Sequence, residues 1–67
     1  MLYSMKKNGT PFSVPKPRKA VLEDFERIRR KMLREGHAPK SYFGTHALIR
    51  YTFEDGTVFT AEVVNDI

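Results

Sequence analysis

The sequence predicts a small α+β fold: two antiparallel β-hairpins with one helix packed on one sheet face, in the order ββαββ. Three observations carry this. Residues 46–64, HALIRYTFEDGTVFTAEVV, place apolar side chains at every second position on both sides of Asp55-Gly56. Asn8-Gly9, near the start, is the strongest short hairpin signal. Between them, residues 18–35 repeat apolar side chains at helical spacing.

Residues 1–15 read as the first hairpin. A type I′ turn at Asn8-Gly9 pairs Lys7 with Thr10, Met5 with Phe12, Ser4 with Ser13 and Tyr3 with Val14. Tyr3, Met5, Phe12 and Val14 then share one face, and Leu2, Ser4, Lys6, Pro11 and Ser13 share the other. Pro11 cannot donate to a ladder, so its strand is expected at an edge, or to start there. Pro15 and Pro17 break that strand, because each residue before a proline is driven to extended geometry.

Pro17 suits the first turn of a helix, although no Ser, Thr, Asp or Asn stands there as a cap. Over residues 18–35 Val21, Phe25, Ile28 and Met32 form one stripe, with Leu22 and Leu33 as its shoulder. Phe25, at the centre of the stripe, is expected to be the most buried helix residue. Glu23 precedes Arg27 by four positions and Glu26 precedes Arg30 by four, the favoured orientation for helical ion pairs. Acids lie early and bases late, as the helix dipole prefers, whereas Lys16, Arg18 and Lys19 oppose it. Gly36 is the expected stop.

Residues 37–45, HAPKSYFGT, read as a loop around Pro39 and Gly44. Tyr42 and Phe43 are expected to plug the edge of the core there, since large aromatics gain most from burial. An exposed aromatic contact is the alternative.

The second hairpin, residues 46–64, turns at Glu54-Asp55-Gly56. A two-residue Asp-Gly loop would set Ile49 against Glu62. A three-residue loop with Gly56 in the left-handed region pairs Phe53 with Thr57, Tyr51 with Phe59 and Ile49 with Ala61, which gathers the apolar residues. The expected core is the helix stripe against Tyr3, Met5, Phe12, Val14, Ile49, Tyr51, Phe53, Phe59 and Val63. The other sheet face carries Lys6, His46, Leu48, Arg50, Thr52, Val58, Thr60, Glu62 and Val64, with Arg50 and Glu62 as diagonal neighbours able to pair.

Sixty-seven residues make one domain, 1–67, with a small core. The chain has no cysteine, so disulfides and thiolate metal sites are excluded. Extra burial is then expected from a homodimer or a larger partner. No apolar run suits a membrane span, and a cytoplasmic location is the expectation.

Chemistry is sparse. His37 and His46 stand at no ligand spacing with each other, so no metal site is expected. No phosphate-binding glycine loop and no nucleophile motif occur, so no catalytic residue, cofactor or small-molecule substrate is expected. The remaining signal is basic: the net charge is +4. Lys16, Arg18, Lys19, Arg27, Arg30 and Arg34 are the candidate partner-binding residues. The expectation is a non-enzymatic binding module, an accessory or regulatory protein of the bacterial or phage kind that binds a larger protein. Nucleic-acid binding through the basic helix face and the 16–19 segment is the alternative. A merely solvated face diluted by Glu23, Glu26 and Glu35 is the plainest reading of the same charges.

Overall fold

Residues 1–65 are described by a computed structural model. The strands are β1 (Leu2–Lys7), β2 (Thr10–Pro11), β3 (Lys16–Pro17), β4 (Pro39–Gly44), β5 (Leu48–Phe53) and β6 (Val58–Asn65), and the helix is α1 (Arg18–Arg34). All strands join one six-stranded antiparallel sheet in the order β2-β1-β6-β5-β4, with β3 also paired to β1. The helix covers one face, as an α+β chain with this apolar parity requires.

The β5–β6 hairpin has the three-residue turn and the expected register: Tyr51 faces Phe59 and Ile49 faces Ala61. The Phe53 amide donates to Thr57 O at 2.9 Å and the Gly56 amide to Phe53 O at 3.0 Å. Gly56 has φ +93°, and the Asp55 carboxylate accepts from the amide and hydroxyl of Thr57. A β-branched side chain cannot adopt that φ without strain. Gly56→Val is therefore expected to destabilise the domain by about 1 kcal/mol or more, and urea unfolding checks it.

The first hairpin is correct only near its turn. Asn8 (φ 51°) and Gly9 (φ 86°) both lie in the left-handed region, and Lys7 faces Thr10. Asn8 also bolts this turn to β6: its amide donates to Val58 O at 2.7 Å and its Oδ1 accepts from the Val58 amide at 2.9 Å. Beyond Phe12, whose amide still reaches Met5 O, the chain leaves β1 and rejoins it two residues out of the predicted register. Tyr3 then faces Lys16, not Val14. Val14 and Lys16, each followed by a proline, are held extended, and no strand forms between Pro11 and Lys16. Val14 consequently stands 76% exposed and Phe12 47% exposed, outside the core that was expected to hold them. Phe12 keeps an edge-to-face ring contact with Phe59.

The largest correction concerns residues 37–45. Within them Pro39–Gly44 are not a loop: β4 pairs with β5, setting Tyr42 against Tyr51 and Phe43 against Arg50. Tyr42 and Phe43 do not plug the core but are exposed.

Tyr3, Met5, Val21, Phe25, Met32, Ile49, Phe53, Phe59 and Ala61 form the core, with Ile28, Tyr51 and Val63 packed against it. Within the helix Val21 is the most buried, at 0%, ahead of Phe25 at 3%. Helix and sheet stripes thus meet as their spacings predict. Gly36 (φ +88°) ends the helix, its amide donating to Leu33 O and the His37 amide to Met32 O, a Schellman closure.

Candidate interaction surfaces

The six candidate basic residues divide by what the fold does with them. Lys16 and Arg18 are used internally. Lys16 Nζ lies 2.5 Å from Asp24 Oδ2, in the second turn of the helix. Arg18 Nη1 donates to the Tyr3 hydroxyl at 2.9 Å and to Thr45 O at 3.3 Å, with its guanidinium over the Tyr3 ring. The Tyr3 hydroxyl donates in turn to His46 O at 2.7 Å. These contacts answer the dipole conflict: no acid occupies the first helical turn, so Asp24 and neutral oxygens take up the positive charges placed there.

Arg27, Arg30 and Arg34 do come together, lining a shallow open groove with Leu33 on the outer side of α1. Lys19 is exposed on the same helix. Of the two expected ion pairs, Glu26–Arg30 forms and Glu23–Arg27 does not. Arg27 pairs with Asp24, not Glu23, and Glu26 holds Arg29 at 2.5 Å more closely than Arg30 at 3.4 Å. Glu23 has no ion-pair partner among the described residues. Three-residue spacing wins because Asp24, already drawn toward Lys16, sits between two bases.

Lys16 and Arg27 hold the Asp24 carboxyl below its ordinary pKa, the Lys16 hydrogen bond being the largest cause and partial burial opposing it. The sign follows from linkage. A carboxyl with a lowered folded-state pKa contributes fully above its unfolded pKa, and the contribution is lost as pH falls through the folded value. Stability is expected to drop with acid below the ordinary carboxylate range, with Asp24 responsible for up to about 1 kcal/mol of it, as suits a partly buried pair at the surface. Asp24→Asn should flatten that acid limb in urea titrations, and an unchanged limb would remove Asp24 from the account.

The exposed edge of the sheet supplies a surface that sequence reading missed. β4 has β5 on one side and, among the described residues, no strand on the other. Tyr42 is 55% exposed and Phe43 46% exposed. Their rings lie on opposite faces, as strand alternation requires. Tyr42 packs against Tyr51 at 5.0 Å on the helix face, and its hydroxyl end lies over Gly44, where a Cβ would stand 2.7 Å away. On the other face Arg50 sets its guanidinium over Phe43, 5.4 Å from the ring centroid. Arg50 thus leans toward the open edge, and the expected Arg50–Glu62 ion pair is absent among the described residues. The sequence signal was present in the Tyr42-Phe43 pair, but not the strand that displays it.

The opposite edge is different in kind. It consists of two-residue strands interrupted by Ser13 to Pro15, with Pro11 and Pro17 removing donors. A second, smaller groove lies on that side, floored by Phe12, Ile28, Met32 and Phe59 and rimmed by Lys7, Lys31 and Glu35.

Of the histidines, His37 Nε2 stands 3.9 Å from Asp55 Oδ2, and His46 is exposed while its carbonyl holds Tyr3. Among the described residues no group of His, Asp and Glu side chains is arranged to hold a metal ion. Among the described residues no helix is long and apolar enough to cross a membrane. Comparison with family models, curated proteins and solved structures finds no significant match to this chain.

Proposed function

We propose that this chain is a non-enzymatic binding module, an accessory or regulatory protein that docks onto a larger protein. One observation carries the reading: the open β4 edge presents Tyr42 and Phe43, both exposed, beside backbone groups with no strand partner. Soluble domains normally guard such an edge with prolines, bulges, charges or short strands. The β2/β3 edge is guarded in this way. β4 is six residues long, and its Pro39, Lys40 and bulge all lie at one end, leaving Ser41 to Gly44 open. Aromatic residues are enriched among the residues that supply binding energy at protein interfaces.

The grouping of Arg27, Arg30 and Arg34 favours a second reading, nucleic-acid binding along the outer helix face. It is narrower than the sequence suggested, because Lys16 and Arg18 are turned inward.

Two double variants separate the readings in affinity capture from lysate, with and without nuclease and at low and high salt. Tyr42→Thr with Phe43→Thr should keep the fold, at a cost of about 1 kcal/mol from the lost ring contact, and should release the protein partner. Arg30→Gln with Arg34→Gln should change stability by less than about 0.5 kcal/mol and leave capture intact. Loss of capture in the arginine variant alone, together with nuclease sensitivity and a steep salt dependence, would transfer the function to the helix face.

A further inference from the structure

We infer that the β4 edge takes an extended, acidic segment of the partner by strand addition. This deepens the proposed docking reading and rests on it.

The backbone parity comes first. The Thr45 amide donates to Leu48 O at 2.7 Å, so Thr45 points into the sheet. In an antiparallel ladder such inward groups alternate with outward ones. Phe43 therefore also points inward, and the N–H and C=O of Tyr42 and Gly44 point outward, toward solvent. These groups are what an added strand pairs with. Tyr42 does not obstruct them, since its ring is turned toward Tyr51 and lies along its own strand over Gly44. Gly44 has no side chain to hold an incoming backbone away.

Charge then selects the occupant. Arg50 reaches across from β5 to Phe43, which brings its guanidinium toward the outer row of the sheet. Lys40, exposed, stands at the start of the same strand. β4 itself, PKSYFG, contains no acidic residue. A second copy of this chain, paired edge to edge, would therefore offer no carboxylate from that strand to Arg50 or Lys40, and would add two more cations. A partner strand with Asp or Glu opposite Phe43 meets Arg50 as a charge-assisted pair, which the chain's net charge of +4 also favours.

The test uses the full chain, isotope-labelled for amide NMR, with three eight-residue blocked peptides. The first alternates threonine and glutamate, the second alternates threonine and lysine, and the third is the first peptide N-methylated at every amide. The glutamate peptide is expected to shift the Tyr42 and Gly44 amides saturably at low salt. The lysine peptide and the N-methylated peptide should each bind at least tenfold more weakly, and Arg50→Glu should reverse the charge preference. Equal binding of the lysine peptide at β4 would overturn the acidic inference while leaving β4 as a docking edge. If no peptide moves β4, yet Tyr42→Thr with Phe43→Thr still abolishes partner capture, strand addition falls and the proposed function stands. A concentration-dependent dimer with β4 amides protected before any peptide is added would make a second copy the occupant and overturn the inference.

Discussion

Phe25→Ala is expected to leave the domain without a cooperative unfolding transition at room temperature. Phe25 is almost wholly buried and its ring lies 5.7 Å from that of Tyr51, in the seam between helix and sheet. Truncating a buried phenylalanine costs about 3–5 kcal/mol, part from transfer and part from the cavity left behind. A single core in a chain this short rarely supplies more than about 3–5 kcal/mol in total. Loss and total are comparable, so the variant should be largely unfolded by circular dichroism. A melting midpoint equal to that of the parent would mean that the stripe Val21, Phe25, Ile28 and Met32 does not hold the sheet, contrary to the packing described above.

Tyr3 is the second position of large effect, for two separable reasons. Its side chain is fully buried, and its hydroxyl ties three segments together: β1, the helix start through Arg18, and the turn before β5 through His46 O. Tyr3→Ala removes both and should cost about 3–5 kcal/mol. Tyr3→Phe keeps the ring and removes only the hydroxyl. It leaves the Arg18 guanidinium and the His46 carbonyl short of a partner and should cost about 1–3 kcal/mol. Urea unfolding of the two variants measures ring and hydroxyl apart. A phenylalanine variant as stable as the parent would show that water replaces the hydroxyl at no cost.

The parts of the fold legible in the sequence are those whose signal is local. The β5–β6 hairpin could be read down to its register because Gly56 and the apolar parity of Ile49, Tyr51, Phe59 and Ala61 agree with each other. The helix could be read because Val21, Phe25 and Met32 mark its buried side and Gly36 marks its end. β4 could not. Lys40, Ser41, Tyr42 and Phe43 carry no apolar alternation, since an edge strand partly clear of the helix has little to bury on either face. Its strand state comes from pairing with β5, and the β preference of Tyr42 and Phe43, two residues between Pro39 and Gly44, is too short a signal to announce it. The slipped arm after Phe12 was hidden for a related reason. A hairpin rule extrapolates register from the turn, whereas the chain leaves β1 after Phe12 and Lys16 then pairs where Val14 was expected.

The candidate site was legible to the same extent. Arg27, Arg30 and Arg34 share a helix face, and helical spacing alone brings them together. The fates of Lys16 and Arg18 depend on the Tyr3 hydroxyl and on Asp24, partners that only the tertiary structure brings within reach. The stacking of Arg50 on Phe43 needed the unforeseen strand.

The position of β1 beside β6 also bears on how the chain reaches this structure. The meander β4-β5-β6 and the β1-β2 turn are each built from neighbours in sequence, so either is able to form early at little loop-closure cost. The ladder between β1 and β6 joins Tyr3 to Val63 and Met5 to Ala61, pairs drawn from the two extremes of the described chain. Its entropy of closure must be met before its hydrogen bonds and the Asn8–Val58 bolt return anything. Folding is thus gated by one long-range event, which places the molecule among slower folders than a helical protein of its length. Until residues 58–65 have left the ribosome, the sheet has no centre, and the first strand waits without its partner.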